Sequence, residues 1–231
     1  MQAGLDPTAR LGALDALLAE RYSCRGFLPA PVPRTLVERV LEVAQRTPSW
    51  CNSQPWQAHV ASGAAADRLR ERLLAAARSE PAAPEYPFPR EYRGVYLERR
   101  RECGFQLYES VGVARGDRAA SAKQGLENYR LFGAPHVLVV TTDEALGVYG
   151  VLDCGAWINN FMLAARAAGI ACIAQAALAA YPRLLREFFG IGEERRVVCG
   201  LSFGYEDPAH PANKFRTRRA KKEEVASWID S

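Results

Sequence analysis

Residues 147–168 limit what this chain can fold into more than any other stretch. Val151, Leu152, Ala156, Trp157, Ile158, Phe161, Met162, Leu163, Ala164 and Ala165 put apolar groups on nearly every face of a helix. Such a helix must be covered on all sides, so it belongs at the centre of the fold or in a subunit interface. No apolar run approaches membrane-spanning length, and the N-terminus shows no cationic-then-apolar signal pattern. The expectation is a soluble, cytoplasmic protein with no membrane partner.

The neighbouring elements read from spacing and punctuation. Asp6-Pro7 starts a helix striped by Leu11, Leu14 and Leu18, and Pro33 opens another with Leu36, Val37, Val40, Leu41 and Ala44 at helical spacing. Strands are expected at 56–61, 135–141 (a buried one), 170–175 and 196–203, and helices at 64–78, 95–112, 117–132 and 182–189, with a short one at 221–229. Residues 79–93 carry Pro81, Pro84, Pro87 and Pro89 between Tyr86, Phe88 and Tyr92. That composition excludes helix and central strand, leaving a surface linker or a lid over a site. Helices and strands mix without regular βαβ alternation, which makes the fold class α+β. At 231 residues, a single domain over 1–231 with one core is expected.

The net charge of +4 is mild, and much of the excess lies in Lys214, Arg216, Arg218, Arg219, Lys221 and Lys222. A local patch of this kind suits a small anion; without interleaved aromatic platforms it does not suggest a nucleic-acid partner. Cys24, Cys51, Cys103, Cys154, Cys172 and Cys199 form no C-x-x-C and no Cys/His cluster at zinc spacing. Reduced thiols and no metal are therefore expected.

Two polar clusters stand out from the Ala/Leu-rich background. In Arg21-Tyr22-Ser23-Cys24-Arg25, two guanidiniums and a hydroxyl occupy alternate positions, and an extended backbone sends all three to one face. Arg and Ser together suit a phosphate. In Pro48-Ser49-Trp50-Cys51-Asn52-Ser53-Gln54-Pro55-Trp56, amides lie beside a large aromatic, as recognition of a planar heterocycle requires. The bland alternatives are a solvated loop for the first cluster and satisfied turn backbone for the second.

Other motifs carry less. Gly200-Leu201-Ser202-Phe203-Gly204 matches a nucleophile elbow, but Tyr205-Glu206-Asp207-Pro208 breaks any helix after it and only His210 follows as a triad partner. A strand ending at glycine is the better reading. No G-x-G-x-x-G opens a helix after a strand and no P-loop is present, so a Rossmann-bound dinucleotide is not indicated. Gly190-Ile191-Gly192 reads as a helix C-cap and turn.

Together these residues resemble the FMN-dependent nitroreductase family, in its nitrobenzoate-reductase-like branch. Residues 21–25 are similar to its R-x-S-x-R/K signature and 48–56 to its P-S-x-x-N-x-Q-P-W segment. Residues 169–177 resemble its G-L-G-x-C-P loop. Gly204-Tyr205-x-Asp207-Pro208 leading to Asn213-x-Phe215-Arg216-Thr217-x-Arg219 resembles its C-terminal G-Y-x-D-P…N-x-F-R-T-x-R. The motifs run in order over most of the chain.

The resemblance implies a nitroreductase-like fold: a central mixed or antiparallel sheet flanked by helices, in an intertwined homodimer with FMN at two interfacial sites. Arg21 and Ser23 would hold the phosphate and ribityl end, with Arg219, Arg218 or Arg216 adding charge. Arg25 would lie near the N1/O2 edge of the ring, where a cation stabilises negative charge. Pro48, Ser49, Asn52 and Gln54 would arrive from the partner subunit. Ile173, Ala174, Gln175 and Ala176 would border the ring, with the Gln175 and Ala176 backbone near N5. Electrons would pass from NAD(P)H to nitroaromatic, quinone or similar acceptors in two half-reactions. Residues 79–115 would be the variable, substrate-covering segment, with Tyr86, Phe88, Phe105 and Tyr108 as candidates for stacking on substrate. The same fold also hosts dehalogenation, azoline oxidation and enal reduction, and a non-catalytic flavin carrier is the alternative from another class.

Overall fold

The strand His136–Asp143 is apolar on both faces, with Val137, Leu138, Val139 and Val140 fully buried, and it takes an interior place in the sheet. The computed structural model describes residues 6–230. In chain order the elements are α1 (Pro7–Glu20), α2 (Arg34–Ala44), β1 (Gln57–Ser62), α3 (Ala64–Ser79), α4 (Gly94–Ser110), α5 (Arg118–Leu126), β2 (His136–Asp143), α6 (Gly147–Ala167), β3 (Ala171–Gln175), α7 (Pro182–Phe189) and β4 (Arg195–Gly204). The class is α+β. The four strands lie in the order β1-β2-β4-β3 and every neighbouring pair is antiparallel. A bulge opposite Val140 and Thr141 leaves Val198 unpaired.

Alternation along β2 divides the core between the two faces. Leu138 and Val140 pack with Leu201 and Phe203 against α2 and α6, around Trp157 and Phe161. Val137 and Val139 pack with Val197 against α3 and α7, around Leu69, Leu73 and Leu185. A third cluster of Cys24, Phe27, Phe132, Ala134, Ala171 and Ile173 ties the segment after α1 to β3.

Local signals set most of the boundaries. Asp6 caps α1 by accepting from Thr8 N at 3.1 Å, with Pro7 in the first turn. Gly190, at φ 67°, closes α7 in the left-handed conformation, as the sequence suggests. Two expectations need correction. The helix expected at 117–132 ends at Leu126, because the chain turns through left-handed Leu131 and Phe132 to bury both side chains. Of the helix expected at 221–229 only the turn Lys222–Glu224 forms. α6 is buried on one side alone, through Gly150, Cys154, Trp157, Ile158, Phe161 and Ala165; Val148 and Leu152 on its other side are 74% and 65% exposed.

Candidate active site

Between α1 and β3 the chain crosses the sheet edge in extended form, Ser23 making a bridge to Cys172. Cys24 is fully buried, while Arg21, Ser23 and Arg25 turn to the other side and border a cavity of about 220 Å³. Arg216 and Arg219 come to the same cavity from the tail, along with Phe215, Thr217 and Cys103. The alternation read from the sequence sets Arg21 and Arg25 at this cavity, and the tail adds Arg216 and Arg219.

No carboxylate pairs with Arg21, Arg25, Arg216 or Arg219 among the described residues; the ion pairs of this region belong to Arg99, Arg166 and Arg218. Arg25 donates to Ser23 O at 3.2 Å, and Arg219 to Thr217 O and Oγ1 at 3.1 and 2.8 Å. Burial, and then the neighbouring Arg219, lower the Arg21 pKa; burial lowers that of Arg25. Four guanidiniums around one cavity without a counter-charge, those of Arg21 and Arg25 half-buried and those of Arg216 and Arg219 exposed, form a receptor for an anion.

The tail arginines separate by geometry. Arg218 pairs with Glu102 at 2.9 Å and stays outside this cavity. It borders a wider cleft of about 660 Å³ between α4 and residues 217–225, which shares Cys103, Thr217 and Arg219 with the first. Arg216 stacks on Tyr22, 3.6 Å from the ring centroid, and donates to Asn213 O at 2.7 Å. Arg219 remains as the tail cation facing Arg21.

Segment 48–56 lies elsewhere. It leads into β1, whereas Arg21 and Ser23 run beside β3, and these strands are the two edges of the sheet. Three strand spacings, about 14 Å, separate those edges. Pro48, Asn52 and Gln54 are exposed and Ser49 is half-buried. Cys51, Asn52 and Gln54 all hold positive φ (51°, 54° and 47°), unusual for side chains other than glycine. Several bonds fix them there: Trp50 N to Asp153 Oδ2 at 3.1 Å, Gln54 N to Ser49 Oγ at 2.9 Å, and Arg195 Nη2 to Pro55 O at 2.8 Å.

At the end of β3, Ile173 and Gln175 are buried and Ala174 and Ala176 exposed. The Gln175 side chain turns inward, donating to Asn128 O at 2.8 Å and accepting from Ser202 Oγ. That bond also settles the G-x-S-x-G match: Ser202 is fully buried within β4 and faces an amide, not a histidine. Tyr86, Phe88, Phe105 and Tyr108 border neither cavity. Of segment 79–115, Val95, Glu98, Arg99, Glu102, Cys103 and Gln106 do, all on α4, and only Cys103 borders the smaller cavity. The proline-rich stretch is tied to the body: Glu85 pairs with buried Arg186 and accepts from Val197 N at 2.6 Å, next to the bulge.

Asn213, within the tail motif, joins the tail to the segment after α1. Its Oδ1 accepts from Arg25 N at 2.8 Å, while Nδ2 donates to Gly26 O at 2.8 Å and Asp207 O at 2.9 Å. A Cβ on Gly26 would come within 2.4 Å of the His210 side chain, so only glycine lets the tail lie this close. All His and Cys pKa shifts resolved here disfavour the charged form: burial lowers His59 and His136, and raises Cys24 and Cys199 to about 11 and Cys154 to about 12. Among the described residues no group of His, Cys, Asp and Glu could hold a metal ion, and no helix is long and apolar enough to cross a membrane.

Comparison with known proteins decides the family. Residues 18–205 match the model of the nitroreductase family. This chain belongs to that family. Nitroreductase NfnB of Mycolicibacterium smegmatis is 37% identical over 225 residues, 96% of this chain and 95% of that protein. A 4-nitrobenzoate reductase of Pseudomonas putida is 34% identical over 206 residues, 89% of this chain and 90% of its own. The crystal structure of the FMN-dependent nitroreductase NfnB from Mycobacterium smegmatis in complex with NADPH superposes with a TM-score of 0.91 at 34% identity, covering 95% of this chain and 99% of that one.

Proposed function

We propose that this family member is an FMN-dependent oxidoreductase that passes electrons from NAD(P)H to nitroaromatic, quinone or similar electron-poor acceptors. The observation that carries the reading is the unpaired guanidinium cluster of Arg21, Arg25 and Arg219 around Ser23. The named functions of its relatives support it.

The cluster fits the phosphate of FMN: Arg21 and Arg219 supply charge and Ser23 a hydroxyl. Arg25, more deeply placed, is the fixed cation for the ring edge. Bound FMN would supply the redox chemistry, so the chain needs no nucleophile of its own. The raised thiol pKa values agree, since Cys24, Cys154 and Cys199 stay protonated at neutral pH.

In this reading the working unit is a homodimer of single-domain chains in the cytoplasm. Leu11, Leu14 and Leu18 of α1 are 69%, 45% and 46% exposed, and Val148 and Leu152 of α6 form a second bare apolar strip. Patches of this kind mark an association surface. A second copy would bring the segment 48–54 of one chain to the arginine cluster of the other, which the opposite sheet edges prevent within one protomer. Segment 79–115 would cover the substrate.

Titration of FMN-stripped protein with FMN and with riboflavin tests the phosphate assignment. Wild type should prefer FMN strongly, and Arg21→Ala should reduce that preference by about 10- to 100-fold, the worth of a charge-assisted hydrogen bond. Equal affinity for the two ligands in wild type would contradict it.

A further inference from the structure

Gln45 caps the C-terminal end of α2, in none of the motifs, and links the Trp56 indole to Gln54. The indole N–H only donates, and it meets Gln45 at 2.9 Å, so the Gln45 atom there is Oε1. Gln45 Nε2 therefore faces Gln54 at 2.9 Å, and the Gln54 atom that receives it is Oε1. Gln54 Nε2 then lies 3.3 Å from Asn52 O. Turning the Gln54 amide over would set two NH2 groups together at Gln45 and two oxygens together at Asn52. Both contacts oppose the flip. One N–H of exposed Gln54 remains without a partner among the described residues.

From this chain we infer that Gln45 is a positioning residue: it holds Gln54 with a donor outward, so that Gln54 recognises a carbonyl oxygen on the edge of a planar heterocycle and not a ring N–H. The inference rests on the reading that segment 48–54 meets FMN, whose ring edge offers carbonyls at C2 and C4 on either side of N3–H. The backbone at Cys51, Asn52 and Gln54 is left-handed, and the bonds to Gln45 and to Asn52 O orient the amide before any ligand arrives. Orientation of this kind is a specificity device, since a carbonyl facing a reversed amide meets an oxygen.

A double-mutant cycle on FMN affinity, measured by fluorescence quenching in the full-length dimer, tests the relay. Gln45→Glu accepts from Trp56 but at neutral pH has no proton for Gln54 Oε1, so the Gln54 amide turns over. Its FMN dissociation constant should rise about tenfold, and Gln54→Leu should cause a similar rise. In the Gln54→Leu background, Gln45→Glu should cost almost nothing more. Protonation of the introduced carboxylate restores the donor, so the ratio of variant to wild-type dissociation constants should shrink as pH falls toward ~4.3. In FMN-free protein, Gln45→Met should speed exchange of the Trp56 indole N–H. An equal cost of Gln45→Glu in both backgrounds would reveal a field effect and overturn the relay, as would no cost where Gln54→Leu is damaging. Unchanged FMN affinity in Gln54→Leu is a different outcome: it would remove Gln54 from the site, and this inference with it.

Discussion

Asn213 holds Arg25 by its backbone: Oδ1 accepts from Arg25 N at 2.8 Å, and the same amide donates to the next carbonyl, Gly26 O, also at 2.8 Å. The segment 21–25 is thus fastened to the tail that brings Arg216 and Arg219. Replacing Asn213 with Ala leaves the Arg25 N–H unpaired, while Gly26 O and Asp207 O keep the N–H groups of Asp207 and His210, so the change should cost about 1–3 kcal/mol of stability in denaturant unfolding. FMN affinity should fall in parallel. A variant as stable as wild type would show that the clamp is dispensable.

Glu85 anchors the proline-rich stretch. Its carboxylate pairs with Arg186, with side chains only 14% and 10% exposed, and accepts from Val197 N. Breaking a buried pair from one side costs about 3–5 kcal/mol. Glu85→Ala should therefore lower stability and expose residues 80–93 to limited proteolysis. Unchanged cleavage there would contradict the anchor.

His136 predicts a pH dependence. Its Nε2 accepts from Val32 N at 2.8 Å, so the proton is on Nδ1, which donates to Ser62 Oγ at 2.7 Å. Burial lowers the folded-state pKa below the ordinary imidazole value, so the unfolded chain binds the proton first. The stability from neutral His136 is present above pH ~6.5 and is lost as pH falls from there toward the lowered folded value. Urea unfolding from pH 7.5 to 5.5 should show this decline, and His136→Gln should flatten it. Equal slopes in both proteins would remove His136 as its source.

Leu152, 65% exposed on α6, should lie in the contact between two copies. Sedimentation should find dimers of wild type, and Leu152→Asp should shift them toward monomers with loss of FMN. A wild-type monomer that keeps FMN would refute the composite site.

What could be read from the sequence followed from how local each feature is. Arg21, Ser23 and Arg25 share a face because extended backbone alternates, which five residues suffice to show. The apolar character of α6 was equally plain, but one chain covers only half of it. The end of α5 is not legible in the sequence because the turn at Leu131 and Phe132 is imposed by burial against distant elements. The same holds for Asn213, which meets Arg25 across 188 positions, and for the inward turn of Gln175. Segment 48–54 declared its polarity without its left-handed backbone, which no run of Cys, Asn and Gln suggests by itself.

The most direct test of the central claim is the visible spectrum of purified protein under anaerobic conditions, before and after NADH or NADPH, followed by a nitroaromatic. The expected result is a yellow protein that bleaches with at least one nucleotide and regains its colour when the acceptor is added. A protein that stays yellow with both nucleotides, or that takes up no FMN at all, would contradict it.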